Sequence, residues 1–286
     1  MLAVEPFFQP METPEPDEWL SSFPEDGQTF EQYINGNPTI PTDKRGTIYI
    51  QPIGRFDQKQ EQVIGATAEY MEDFFGLPVK LLPGMRFKEP LSLKNYRSNK
   101  LLRHRQIRTG YILDEILFPA LPEDAAAFIA FTNEDLYPDE YMNFVFGQAS
   151  LANRVGVWSL YWLNAKADDQ TFLRRTLKIA VHETGHMFSI AHCTKYECVM
   201  SGSNHLKETD SRPIDACPEC MAKICWMAGI KPLKRYSRLE SFAARHGLIK
   251  EEEEFTRKAA AVRPTDLGFE ISDCGSCLAY APRNKY

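Results

Sequence analysis

An α/β fold is the class this sequence predicts, and three neighbouring segments carry the prediction. Thr47 to Ile53 is an apolar, β-branched run that ends at Gly54 and reads as a buried strand. Asp57 follows as a helix N-cap with Gln60 three residues on, after which Val63, Thr67, Tyr70, Met71 and Phe74 recur at helical spacing until Gly76. Val79 to Leu82 then reads as a second strand, completing a β-α-β unit.

The 286 residues suffice for one large or two small domains with a full core. Hydrophobic residues make up 43% and charged residues 25%, an ordinary globular composition. Acidic residues outnumber basic ones, 39 to 33, where a duplex-binding protein usually carries a basic surplus, so no nucleic-acid partner is expected. The first twenty residues are acidic and contain four prolines, unlike a secretory signal, and the expected compartment is the cytoplasm. The longest clean apolar run, Ala125 to Phe131, is far shorter than the ~18 residues of a membrane span, so no membrane partner is expected, and the chain is expected to be a monomer.

Residues 1–43 read as a Pro- and acid-rich extension, either disordered or docked by apolar anchors such as Trp19, Phe23 and Phe30. Residues 44–250 are taken as the main domain and 251–286 as a tail. The basic stretch 83–107 is read as a solvated loop. Arg108 to Leu117 is expected to be a short helix, Ala126 to Phe131 a buried strand, and Phe144 to Phe146 and Val155 to Leu163 two further strands.

The chemistry concentrates in HETGHMFSIAHC, residues 182–193. A helix capped by Asp168 or Asp169 would place His182 and His186 ~40° apart on one face, with Leu173, Leu177, Ala180, Thr184 and Met187 on the opposite one. Two imidazoles one turn apart can hold a zinc ion, and Glu183 between them can take a proton from a metal-bound water. His192 comes six residues after His186, so the helix must end between them for it to serve as a third ligand. Three protein ligands would leave a position open for water, and that is the arrangement of a hydrolytic site.

Cys193, Cys198, Cys217 and Cys220 form two close pairs that fit a closed, tetrahedral zinc site, with disulfides as the competing reading. Because His192 and Cys193 are adjacent, an extended backbone there would send one side chain to each ion. Cys225, Cys274 and Cys277 read as free thiols, with a further metal or redox site as the alternative. His205 is read as a solvated loop histidine, His104 and His246 receive no role, and Glu251 to Glu254 reads as the start of an exposed helix.

The run HETGHMFSIAHCTKYECVM, with the later Cys217-Pro-Glu-Cys220, resembles the archaemetzincins, a family of zinc metallopeptidases. The resemblance is close through roughly residues 144–228 and weaker from about 46 onward. It implies a metzincin-like zincin domain with a mixed twisted sheet, an active-site helix and a four-cysteine structural zinc subdomain. It further implies two zinc ions: a catalytic one on His182, His186 and His192 with Glu183 as general base, and a structural one on Cys193, Cys198, Cys217 and Cys220. Met200 falls at the methionine of the family's Met-turn, and Val155 to Leu163 corresponds to the strand expected to pair with an extended substrate.

The implied activity is hydrolysis of peptide or unfolded polypeptide substrates. Ser189 departs from the pattern, because the family has glycine where the chain leaves the helix with positive φ, and serine there costs on the order of 1–2 kcal/mol. That departure motivates one alternative, a zinc-stabilised binding module with a vestigial site. A metal-dependent hydrolase of non-peptide substrates is the other alternative.

Overall fold

The computed structural model describes residues 2–99 and 103–263. Its main sheet has five strands in the order β2-β1-β5-β8-β7, where β1 is Thr47–Pro52, β2 Val79–Leu81, β5 Ala125–Thr132, β7 Gly147–Ser150 and β8 Val155–Ser159. All neighbours are parallel except β7, which pairs antiparallel with β8 and forms one edge. Parallel strands covered on both faces lack polar alternation, and β1 and β5 are buried along their whole length. Their side chains divide by parity: Ile48, Ile50, Ile129 and Phe131 enter one core cluster, and Tyr49, Phe128 and Ala130 enter the other.

Helix α3 (Gln58–Phe75) begins at the expected capping box of Asp57 and Gln60 and ends at Gly76, whose φ of +68° closes the last turn. It packs beside the long helix α4 (Asp169–Met187), which the Asp168 carboxylate caps. Leu177, Ala180 and Thr184 of α4 are fully buried, the face its periodicity indicates. The opposite face of the sheet is covered by a wide helical turn, Tyr111–Leu117.

One loop expectation and two strand expectations require correction. Residues 83–107 are not simply a solvated loop: β3 (Tyr96–Ser98) and β4 (Arg105–Arg108) pair there, and with β6 (Asp135–Tyr137) they form a second sheet. The polar residues that suggested solvent are partnered. Gln106 donates to the Asp135 carboxylate at 2.7 Å, and the Arg97 guanidinium stacks over Tyr137 at 4.1 Å. Phe144 to Phe146 is no strand, since only Val145 makes an isolated bridge, to Leu136; the strand begins at Gly147. Finally, β8 stops at Ser159 and lies inside the sheet, with β5 and β7 on its two sides, so the free edge belongs to β7.

The N-terminal residues dock on the domain. Helices α1 (Trp19–Ser22) and α2 (Phe30–Asn35) lie there, and the buried anchors are Val4, Phe8 and Tyr33, whereas Phe23 is 51% exposed. Beyond α4 come α5 (Leu206–Ser211), α6 (Pro218–Ala228), α7 (Pro232–Arg245) and α8 (Ile249–Ala261). Helix α8 packs on α7 and runs through position 250, where the sequence reading ends its main domain. Lys258 of α8 reaches the buried Asp215 carboxylate at 3.0 Å, opposite Arg235 at the same distance, tying the C-terminal helices to the segment just before Cys217. Among the described residues, no helix is long and apolar enough to cross a membrane.

Candidate metal centres

Helix α4 ends at Met187, and the chain turns at Ser189 with φ of +63°. The serine therefore adopts the left-handed conformation that glycine would take, and the turn survives the substitution. Ile190 N–H bonds back to the Gly185 carbonyl, and the reversed chain carries His192 to the two helical histidines. The metal-binding atoms of His182, His186 and His192 lie within 4.8 Å of one another, with His182 Nε2 and His186 Nε2 3.0 Å apart. Zinc–nitrogen bonds of ~2.0–2.1 Å put tetrahedral ligand nitrogens ~3.4 Å apart, so this donor set fits one such ion.

Each ring is held through Nδ1, leaving Nε2 for a metal. His182 Nδ1 is 2.8 Å from the Val199 carbonyl, His186 Nδ1 is 2.7 Å from the Ile190 carbonyl, and His192 Nδ1 lies 2.9 Å from the nearer carboxylate oxygen of Glu25. Acceptors at these positions fix the tautomer by keeping the proton on Nδ1. Burial lowers the pKa of both His182 and His186 to about 4, so these rings are neutral at neutral pH with a lone pair available. The Glu183 side chain has no hydrogen bond or ion pair among the described residues; burial pushes its carboxyl up, and the nearby His186 and His192 oppose that shift. A carboxylate left unengaged beside three imidazoles is available to exchange a proton.

Met200 is fully buried beneath the helix. A Cβ at Gly185 would come within 2.7 Å of the Met200 sulfur, so glycine at this helix position permits the close approach. The same segment supports both clusters: Val199 O accepts from His182, and Met200 O accepts from Cys193 N–H at 2.8 Å.

Cys193, Cys198, Cys217 and Cys220 form a second cluster, fully internal. The Cys193 and Cys217 sulfurs are 3.6 Å apart, too far for a disulfide bond of ~2.05 Å and close to the ~3.8 Å expected between tetrahedral thiolates on zinc. Backbone N–H groups of Met200 and Cys217 point at Cys198 Sγ, at 3.4 and 3.2 Å, and donate to that sulfur. Hydrogen bonds from Cys198, Cys217 and Cys220 hold the Cys193 thiol below its ordinary range. His192 and Cys193 thus direct adjacent side chains to different clusters, as the extended-backbone argument requires.

Of the remaining candidates, Cys225 stays outside the sulfur cluster, with burial pushing its thiol up to about 11, while Cys274 and Cys277 lie outside the described residues. His205 has a structural task rather than a solvated one: its Nδ1 caps α5 by accepting from Glu208 N–H. His104 bonds to Asp135 at 2.7 Å and stacks on Tyr161. The N-terminal residues at the site carry no spacing signal, since Glu25 meets His192 from 167 positions away.

The Ser189 hydroxyl accepts from Thr39 N–H at 3.0 Å. Ser189→Gly should therefore relieve about 1 kcal/mol of left-handed strain and lose one exposed hydrogen bond of similar size, leaving stability unchanged or up to ~1 kcal/mol higher. Ser189→Ala keeps the strain while losing the bond, so it should be the less stable of the two. Urea melts of both variants check the order; because both lose the hydroxyl, the reverse ranking would show that the left-handed turn carries no such strain.

A family model described as Peptidase family M54 matches residues 95–225. Archaemetzincin-2 of Rattus norvegicus is 35% identical over 271 residues, covering 81% of this chain and 74% of the relative. Archaemetzincin of Archaeoglobus fulgidus is 32% identical over 177 residues, which span 62% of this chain and 98% of that protein. Among solved structures, archaemetzincin from Methanopyrus kandleri superimposes with a TM-score of 0.52 at 27% identity, over 64% of this chain and 96% of the other.

Proposed function

The chain belongs to the archaemetzincin family of zinc metallopeptidases, and from that premise we propose that His182, His186 and His192 hold its catalytic zinc with Glu183 as the general base. We propose further that Cys193, Cys198, Cys217 and Cys220 hold a second, structural zinc, giving two ions per chain. The observation that carries the reading is the convergence of three Nδ1-anchored imidazoles on one point beside an unengaged carboxylate. A closed set of four sulfurs suits a structural ion, while three nitrogens leave a position open.

Zinc, when bound at the histidines, supplies a Lewis acid that makes water acidic near neutral pH and polarises a carbonyl. The residues of the chain do the rest. Glu183 takes the proton that the attacking water loses and returns it to the nitrogen of the leaving amine. The carbonyls of Val199 and Ile190 keep the rings of His182 and His186 oriented while that proton moves, and Met200 packs against Gly185 beneath the helix that carries them. The β7 edge has no strand partner on its outer side among the described residues, so Gly147 to Ser150 can pair with an extended peptide by strand addition.

The proposal is tested by digesting an unfolded polypeptide library with the full chain, before and after a chelator and again after added zinc. Cleavage that disappears with the chelator and returns with zinc supports the reading. A library left intact by zinc-loaded protein would refute it.

A further inference from the structure

The second-sphere partners of the three histidines are unequal. His182 and His186 are anchored by backbone carbonyls of the chain that follows the helix, at Val199 and Ile190, but His192 is anchored by a carboxylate from the N-terminal region. Both Glu25 oxygens lie within 3.0 Å of Nδ1, and the two side chains are 19% and 31% exposed. The contact lies at the surface, with both carboxylate oxygens shared by the one Nδ1.

The segment bearing Glu25 is fixed against the turn that presents His192. Gln28 spans that turn, its Nε2 donating to the Ser189 carbonyl and its Oε1 accepting from Ala191 N–H, both at 3.2 Å. Lys223 of α6 donates to the Gln28 carbonyl. At Gly27, with φ of +73°, a Cβ would come within 2.3 Å of Thr194 Oγ1, so only glycine allows the strap to lie this close. On the other flank, the Trp19 ring meets the His192 ring edge-on at 5.1 Å, and Trp19 is itself pressed onto Gly202, where a Cβ would fall 2.3 Å from the indole. Trp19 N–H is bonded to the buried Glu208 carboxylate at 3.1 Å. Two close backbone approaches and bonds on both sides of Glu25 are more than a chance surface ion pair would need.

We propose that Glu25 is a positioning residue for the metal site: its carboxylate accepts the Nδ1–H of His192, orients the ring, and makes Nε2 a stronger ligand. This rests on the reading that His192 binds zinc. The strap from Trp19 to Gln28 then completes the metal centre, because the third histidine otherwise leaves the helix on a turn with no carbonyl anchor of its own. A carboxylate behind a histidine raises the basicity of the coordinating nitrogen, and loss of such a partner commonly weakens a metal by about 10–100-fold.

The test uses the full chain and compares the parent with Glu25→Ala, Glu25→Gln and His192→Ala. Competition with a chromogenic chelator reads the affinity of the more weakly held zinc, and cobalt substitution reports the ligand field at the same site. Glu25→Ala should lose about 10–100-fold in that affinity and shift the cobalt visible bands, with the sulfur-bound ion retained. Glu25→Gln keeps the shape and its amide oxygen can still accept the hydrogen bond from Nδ1–H but lacks the charge, so it should fall between the parent and Glu25→Ala. This variant also answers the question if Glu25→Ala does not fold. Zinc affinity and cobalt bands in Glu25→Gln and Glu25→Ala that match the parent would overturn the proposal. Parent-like zinc binding by His192→Ala would instead overturn the ligand assignment beneath it, and the proposal with it.

Discussion

Glu183→Gln should lower peptide hydrolysis by about 10²–10⁴-fold while leaving the zinc content unchanged. The substitution keeps the size and hydrogen-bonding shape of the side chain and removes only its ability to accept and return a proton. Glu183 is not a member of the three-nitrogen cluster, and its side chain has no hydrogen bond or ion pair among the described residues whose loss could disturb the fold. Nothing in the packing therefore predicts a fall in stability to match the fall in rate. Burial favours its protonated form and the adjacent imidazoles favour the charged one, which keeps the carboxyl responsive to a proton arriving from water. Turnover at the parent rate, measured on the same polypeptide with zinc content verified, would remove Glu183 from the mechanism.

Cys217→Ala should be the most damaging of the single substitutions for stability, lowering the melting temperature by about 10–20 °C. The estimate takes a loss of roughly 5 kcal/mol from a metal whose binding contributes ~10–16 kcal/mol to folding, at 2–4 °C per kcal/mol for a domain of this size. Cys217 supplies one sulfur and also opens α6, with its N–H directed at Cys198 Sγ. Its removal leaves three buried thiols crowded around an incomplete site. The damage should spread, since Cys193 follows His192 directly and its N–H is bonded to Met200 O, so the sulfur cluster braces the histidine site. Cys225→Ala, outside the cluster on the same helix, is the control and should move the melting temperature by no more than a few degrees. Equal melting of Cys217→Ala and the parent would mean that the sulfur cluster holds no structural ion.

What was legible in the sequence was chemistry settled by near neighbours. The Asp57 and Gln60 capping box, a cap at Asp168 or Asp169, the spacing of His182 and His186 and a helix end between His186 and His192 depend on near neighbours, and the structure has the cap at Asp168 and the end at Met187. The fates of His192 and Cys193 followed from strand-like alternation at a single step. Ser189 was readable as a strained position once the family pattern stood beside it, and its φ of +63° agrees.

What stayed illegible depended on distant partners. Gln106 looks like a solvated residue in a basic loop, and only Asp135, 29 positions away, makes it a buried strand residue. Residues 144–146 have the composition of a strand, yet the register against β8 starts at Gly147, which lies against the Trp158 ring where a Cβ would come within 2.6 Å. Phe23 resembles an anchor by type and faces solvent, while Tyr33 is buried with its hydroxyl bonded to the Phe188 carbonyl at the end of α4. Glu25 sits in an acid-rich stretch that suggests a solvated tail, and its role depends on a fold that brings it to His192.

The central claim is two separate metal sites joined at His192 and Cys193, and zinc per chain tests it most directly. Protein purified without added metal should contain about two zinc ions. His186→Ala should lose the one bound by nitrogen and keep the other, and soluble Cys217→Ala should lose at least the one bound by sulfur. A single ion in the parent that disappears in Cys217→Ala and persists in His186→Ala would contradict the account, because the histidines would then hold no metal.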